Sequence, residues 1–486
     1  MEPMCEPSQR DSPQCFHEHE HCTRYCTYLK ALGKLAFETL LSETKESTLV
    51  FCKSVADKYL SPNYLKFSLH SGLLTQSTVK TLTKQSLKVS FSHKTVQEFF
   101  CALYISCQNE SDVKNIVLNK CKSLQNILDM STVFVFISRM DAEIFSSISR
   151  EMMFVISEDK ITSKYRFTTD KDCEPLKDIQ NMYISCIKEN ANVKELKIFC
   201  QDFFFSKECQ EEKHFSQLTR LATDNKKNME SININTEFGP SLRAIIGSCT
   251  LHELFNVNKI NYHGLGEQVQ LPVLLNKSPK CVSVRSPGGY CGREICETLQ
   301  NNSLLQAIYI WDFEMSHDVL NDFLNYIKNR KTLTEISLGH LSCTKHHRSC
   351  TFSLDFCQHS DLRKLELCII PEVSQLKVSS QVKHMTLRVR TNLGEMSLPP
   401  DMINIEHVEL SLVNMSASTF RDFVFNVVEK LSHKVTVILQ ACNIEPETEF
   451  VDVKQDIHSS QNFQVTKDGR SLFWGNEFAF ETRVES

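Results

Sequence analysis

Apolar and polar positions change their period along this chain, and the changes mark out its elements. In YLKALGKLAFETLLSE (residues 28–43) Leu29, Leu32, Leu35, Ala36, Leu40 and Leu41 share one helical face. KSVADKYLSPNYLKFSLHSGLLTQ follows, with Pro62 as a break and SGLL closing a short helix. Leu87, Val89 and Phe91 then alternate with Lys88, Ser90 and Ser92, as in a half-buried strand. From Thr95 the apolar residues Val96, Phe99, Phe100 and Leu103 return to helical spacing. Thr95 and Glu98 stand as in a capping box. VSFSHKTVQEFFCALYIS (residues 89–106) therefore predicts strand, sharp turn and helix, with His93 at the turn. Phe99, Phe100 and Leu103 are expected to bury against the LGKLAF helix. Beyond residue 107, ESDVKNIVLNKCKSLQNILDMSTVFVFISRMDAEIFSSISREMM and DIQNMYISCIKENANV read as further helices.

The second half changes to short strand-like triplets. VKELKI at 193, MESINI at 229, LHELFN at 251, PKCVSV at 279 and LQAIYI at 305 open the series. LTEISL at 333, LRKLEL at 362, VKHMTL at 382, IEHVEL at 405 and KVTVILQACNI from 434 continue it. LHELFN fits LxxLxL poorly, and the interval after 193 is too long. At this apolar content the triplet alone proves little, so the spacing has to carry the argument. From 229 onward the successive starts lie 20 to 29 residues apart. HDVLNDFLNYIKNRK and ASTFRDFVFNVVEKLSHK, between strands, are helical in period. Ile336 and Leu338, Leu365 and Leu367, and Val408 and Leu410 are then expected to point into one continuous core. Ser337, Glu366 and Glu409 would stand on the opposite face, because strand side chains alternate. SLFWGNEFAFETRVES, with alternating aromatics around Trp474, suits a strand covering the end of the stack; a tail is the other reading.

Composition narrows the class. The chain has 486 residues, 41% hydrophobic and 23% charged, ordinary for a globular protein of two or more domains. A formal net charge of −5 argues against nucleic acid or an anionic membrane as main partner. No apolar run approaches the roughly 20 residues of a membrane span. MEPMCEPSQRDSPQ lacks the regions of a signal peptide, so the expected compartment is the cytoplasm, with the 21 cysteines reduced.

LGKLAFETLL, the SGLL turn, VSFSHKTVQEFFCALYIS and STVFVFISRMDAEIF resemble the winged-helix and second helical domains of NACHT-family NLR proteins, which are innate-immune and apoptotic STAND-class ATPases. The strand-plus-helix period is similar to ribonuclease-inhibitor-type leucine-rich repeats, which follow those domains in NLRs. The implied fold is an α+β/α/β chain. An N-terminal all-helical winged-helix-type module precedes an α/β leucine-rich-repeat solenoid, or horseshoe. The implied boundaries are a disordered leader at 1–24, a winged-helix-like domain at 25–106 and a helical domain at 107–190. Degenerate repeats follow at 191–450, then a cap or tail at 451–486. The repeats depart from the family pattern: few keep the Asn or Cys of LxxLxLxxN/C, though Cys442 does.

The resemblance implies that His93 matches the histidine contacting the β-phosphate of bound ADP. A helix N-terminus suits a phosphate there. The chain carries no GxxxxGK[ST] and no NTPase core. Hence it is expected to need no cofactor, ADP or ATP entering only if a nucleotide-binding domain is supplied elsewhere. It reads as the C-terminal part of an NLR-like architecture with an orphaned His93.

Two functions stay open. One is non-catalytic recognition of a protein or microbial ligand through the repeat face; the other is part of an ATP-binding switch whose NACHT domain lies outside this chain. The candidate contact set is Ser337, Arg363, Lys364, Glu366, His407 and Glu409. Metal candidates Cys15, His17, His19, His21, Cys22 and Cys26 rest on composition, and the same segment reads as a solvated leader. HLSCTKHHRSC (340–350) has a similar composition and reads as a polar loop insertion. No nucleophile elbow, HExxH, dinucleotide fingerprint or kinase set appears, so no enzyme is expected. Oligomeric state is open.

Overall fold

Glycine decides how the first two long helices meet. Helix α1 (Cys26–Leu40) buries Leu32, Leu35 and Ala36, and α2 (Lys94–Ser106) buries Phe100 and Leu103. At Gly33 a side-chain carbon would stand 2.9 Å from the Phe100 carbonyl oxygen and 3.1 Å from Tyr104 Cβ, so only a bare backbone permits this crossing. Phe99, expected in the same seam, is half-buried and meets Phe136 edge-on at 5.6 Å.

The computed structural model describes residues 20–41, 49–80, 85–190, 196–236, 244–245, 247, 257–264, 271–285, 292–344, 352–368, 373–388, 402–471 and 475–483. Over them the chain is mixed α/β and divides into two units. The first holds 1–163, 173–203 and 211–229, the second 164–172, 204–210 and 230–486.

In the first unit β1 (Val50–Cys52), β2 (Leu74–Lys80) and β3 (Gln85–Phe91) form an antiparallel sheet in the order β1-β3-β2. The expectation of an all-helical module is thereby corrected: the alternating Leu87–Phe91 stretch finds two strand partners, burying Val89 and Phe91. The expected capping box is also replaced. His93 is the N-cap of α2, and its Nδ1 accepts from the Thr95 amide at 3.2 Å. Glu98 is buried and pairs with Lys94 at 3.5 Å. Helices Ser131–Met140, Ala142–Glu158 and Glu174–Glu189 pack Phe134, Phe145 and Tyr183 into one aromatic core. A short helix, Glu20–Arg24, lies inside the stretch expected to be a disordered leader.

The second unit is organised on a twelve-stranded, mostly parallel sheet. Its strands are β4 (Asp202–Phe205), β5 (Ser231–Asn235), β6 (Lys259–His263), β7 (Cys281–Arg285), β8 (Ala307–Trp311) and β9 (Glu335–Gly339). They continue as β10 (Lys364–Cys368), β11 (His384–Arg388), β12 (His407–Ser411), β13 (Thr436–Gln440), β14 (Phe463–Ser471) and β15 (Gly475–Thr482). From β5 to β13 the neighbours are parallel, in chain order and in unbroken register. Their second and fourth residues are buried, including every core pair expected from the triplets: Ile336 and Leu338, Leu365 and Leu367, Val408 and Leu410 are all 0% exposed. Helices such as Gly292–Gln300 and His317–Asn329 return the chain between strands and bury Ile295, Leu299, Phe323 and Ile327.

A second regularity follows the strands. Asp312, His340, Leu412 and Ala441, each just past a strand, have φ of 62°, 49°, 60° and 49°. A left-handed non-glycine costs about 1–2 kcal/mol. Here it aims the amide at the next strand: Asp312 N–H donates to Gly339 O at 3.0 Å, His340 to Cys368 O at 2.9 Å and Leu412 to Gln440 O at 3.0 Å. One residue farther lies the slot of the degenerate Asn or Cys. Cys442 is one residue past Ala441 and its Sγ donates to Leu410 O at 3.1 Å, whereas Phe313, Leu341 and Val413 fill the equivalent place with buried apolar groups.

Two expected strands are corrected. VKELKI is irregular over its described part, although Leu196 and Ile198 are buried, and the edge strand is β4. LHELFN lies outside the described residues; the strand of that interval is β6, where Val257, Ile260 and Tyr262 carry the triplet. At the other end the β14–β15 hairpin pairs antiparallel with β13 and closes the core with Phe478 and Phe480. Trp474 lies outside the described residues. No helix among the described residues is long and apolar enough to cross a membrane.

Candidate interaction face

The first, third and fifth residues of β5–β13 stand on the sheet face away from the buried pairs, because side chains alternate along a strand. That face is divided. Over β5–β9 it is covered by Lys164–Asp172 of the same unit. Lys259, 0% exposed, directs Nζ at the carbonyl oxygens of Tyr165 (2.8 Å), Thr168 (2.9 Å) and Asp170. Three ammonium hydrogens meet three acceptors, and the Tyr165 ring lies 3.8 Å from the same nitrogen. Asn233 and Asn261 each donate to Lys171 O at 2.6 Å, and Cys281 Sγ donates to Thr168 O at 3.0 Å. Glu335 Oε2 accepts from Thr169 N at 2.8 Å and Thr169 Oγ1 at 2.9 Å. The face thus holds a stretch of polypeptide chiefly by its main chain.

At the third and fifth residues of β8, Tyr309 and Trp311 stack at 5.3 Å, and Lys171 Nζ lies 4.2 Å from the Tyr309 ring centre. Burial, with Arg285 nearby, lowers the Lys171 pKa. Asp312 takes Arg285 Nε and His340 Nδ1, both at 2.6 Å. Burial alone would raise its carboxyl pKa, but these two hydrogen bonds outweigh it and hold the group below the usual range. Burial pushes the Cys281 thiol up to about 12, so it acts as a donor and not as a thiolate.

Over β10–β13 the face carries no such segment among the described residues. Glu366, Thr386, Glu409 and Ile438 form its middle row, side by side. Arg388 reaches Glu409 at 2.6 Å, and Lys383 reaches Glu406 at 2.6 Å, with His384 3.7 Å from the same carboxylate. Burial lowers the His407 pKa, reinforced by His384 and opposed by Glu409.

The candidate contact set therefore separates. Ser337 is not accessible: it is 0% exposed, accepting from Trp311 Nε1 at 2.9 Å and donating to Glu366 Oε2 at 2.8 Å. Lys364 is half-buried, its Nζ 3.4 Å from Thr169 Oγ1 at the edge of the covered half. Arg363 is exposed, and Glu366, His407 and Glu409 are half-buried on the open half. Sequence reasoning missed Lys259, Asn233, Asn261 and Glu335, whose partners lie 62 to 166 residues away. A lysine opening the strand KINYH was the one visible oddity.

His93, in the other unit, is exposed with one ring nitrogen spent on its own helix. Cys15, His17 and His19 fall outside the described residues, as does the His21 side chain. Cys26 is buried in α1 and Cys22 is half-buried, and neither is in a disulfide. Of HLSCTKHHRSC, His340 belongs to the Asp312 cluster and residues 345–350 lie outside the described residues. Compared with known families and curated proteins, the chain matches no family model and no curated protein.

Proposed function

We propose that the chain is a non-catalytic recognition protein of NLR-like architecture. Winged-helix and helical modules precede a leucine-rich-repeat solenoid, and the β10–β13 face of the solenoid binds a protein or microbial ligand in innate immune sensing in the cytoplasm. The in-register parallel strands, the 20 to 29 residue spacing and the recurring left-handed residue support the repeat reading. The observation that carries the function is the covered half. There the sheet's polar side chains already hold a length of polypeptide by its carbonyl and amide groups, so the open half offers the same chemistry to another chain. No nucleotide is required in this reading, since His93 Nδ1 is committed to capping α2.

A photo-crosslinking residue at Thr386, in the middle of the open half, tests it against one at exposed Val451 on the helix Glu447–Ser459. A partner isolated with the full chain should crosslink through position 386. Crosslinking through 451 alone would move recognition off the sheet and end this reading.

A further inference from the structure

The rim where the open half begins has a charge pattern that the rest of the face lacks. Each strand there opens with two rim residues, the second being its first strand residue: Arg363 and Lys364, Lys383 and His384, Glu406 and His407. Main-chain bonds set them side by side: Lys383 N–H and His384 N–H donate to Arg363 O at 2.8 and 3.0 Å, and Glu406 N–H and His407 N–H to Lys383 O at 2.8 and 3.0 Å. Five of these six residues are of basic type and one is a carboxylate. That carboxylate serves Lys383 at 2.6 Å and His384 at 3.7 Å, so it neutralises one cation and is shared with a second. The Lys383 hydrogen bond holds the Glu406 pKa below the usual carboxylate range. Arg363 is exposed beside them.

We propose that this rim, Arg363, Lys364, Lys383, His384 and His407, is the docking strip for an acidic, extended segment of a partner protein. The inference rests on the recognition reading above and specifies its partner. Continuity argues for a polypeptide: the segment already bound reaches Lys364, at one end of the strip. Three parallel strands at about 4.8 Å spacing span roughly 10 Å, which about three extended residues cross. The interspersed Glu366 and Glu409 offer acceptors to peptide amides. They would repel a nucleic-acid backbone, whose phosphates offer no donor.

The test is fluorescence anisotropy of a labelled hexaglutamate peptide with the full chain, beside a hexaglutamine peptide and a short single-stranded oligonucleotide. Hexaglutamate should bind and weaken with added salt, and hexaglutamine should not bind. Arg363→Glu with Lys364→Glu should reduce its affinity by about tenfold or more, through like-charge repulsion. The control Lys66→Glu, at an exposed position on the helix Pro62–His70, should leave it unchanged. Circular dichroism melting confirms that the double variant folds, and Arg363→Gln alone, a milder change, should give a smaller loss in the same direction. Equal hexaglutamate binding by wild type and double variant, or no binding by either, overturns the strip. So does tighter binding of the oligonucleotide. If position 386 crosslinks a partner while hexaglutamate neither binds nor competes, recognition by the face stands and the acidic partner falls. If position 386 captures nothing while hexaglutamate binds the rim, the strip stands without the wider reading.

Discussion

Lys259 and Lys383 sit at the starts of parallel strands in one sheet, yet they live in different media. Lys259 is fully buried and bonded to three carbonyls of Lys164–Asp172. Lys383 pairs with Glu406 in solvent, the two side chains 44% and 40% exposed. The strands have the same alternation and the same buried pairs, so the sheet does not make this difference. The covering segment does. It removes water from one half of the face, and a removed solvent shell has to be replaced by protein groups. In the covered half each polar contact is obligatory; in the open half it is optional, and such surfaces are free to exchange partners.

The largest effect expected from this contrast is at Lys259. Lys259→Met keeps the length of the side chain but strips donors from the carbonyls of Tyr165, Thr168 and Asp170 in a water-free place. A loss of about 3–5 kcal/mol is expected, from orphaned buried acceptors. Urea unfolding of the full chain measures it. A loss below about 1 kcal/mol would mean that water reaches the carbonyls and that the two halves do not differ.

Ser337 stands at the boundary and sharpens it. Its hydroxyl passes a hydrogen bond from Trp311 Nε1 on the covered side to Glu366 Oε2 on the open side. Ser337→Ala removes the relay, leaving the indole N–H unsatisfied, and should cost about 1–3 kcal/mol. The indole should also become more mobile, visible as a fall in Trp311 fluorescence anisotropy. Unchanged stability would show that the indole finds water, placing position 337 in the open half.

How much of this was legible beforehand follows the range of the interactions. The core pairs of β9, β10 and β12 were readable because alternation is a local rule, and the neighbouring row Ser337, Glu366 and Glu409 followed from it. The helical seam of Phe100 and Leu103 was readable for the same reason, at helical period. What failed was non-local. Nothing near Ser337 announces that Trp311 and Glu366 will bury it. Nothing near Lys259 announces carbonyls 89 to 94 residues upstream. The cap of α2 failed differently: Thr95 and Glu98 matched a motif, but His93 supplied a nearer acceptor, and Glu98 turned into the protein.

Asp312 gives the pH form of the comparison, at somewhat smaller magnitude. Its carboxyl is held below the usual range, so it stabilises the fold when ionised. That contribution is fully present above the unfolded value of about 3.9 and is lost as pH falls through the lower folded value. Asp312→Asn should therefore cost about 1–2 kcal/mol at pH 7 and progressively less as pH falls through the lowered folded value. Stability curves of the two proteins should converge on acidification. Parallel curves down to pH 2 would mean that Arg285 and His340 contribute nothing through the charge.

The smallest effect is expected at Lys383, the open-half counterpart of Lys259. Lys383→Met breaks a 2.6 Å contact shorter than two of the three Lys259 contacts, so distance alone would rank the two alike. The medium decides otherwise. With both side chains more than a third exposed, water screens the attraction and solvates whichever charge remains, and ordering two long side chains opposes the gain. A loss of about 0–1 kcal/mol is expected, shrinking further in high salt. The Glu406 carboxyl should titrate higher once the lysine is gone, because the Lys383 hydrogen bond is the main cause of its low value. Nuclear magnetic resonance of the carboxyl would follow that rise even where stability does not move. A loss comparable to that of Lys259→Met would show that the open half is shielded from water in the folded protein. The two halves would then be one surface, and the docking strip would have no free face to offer.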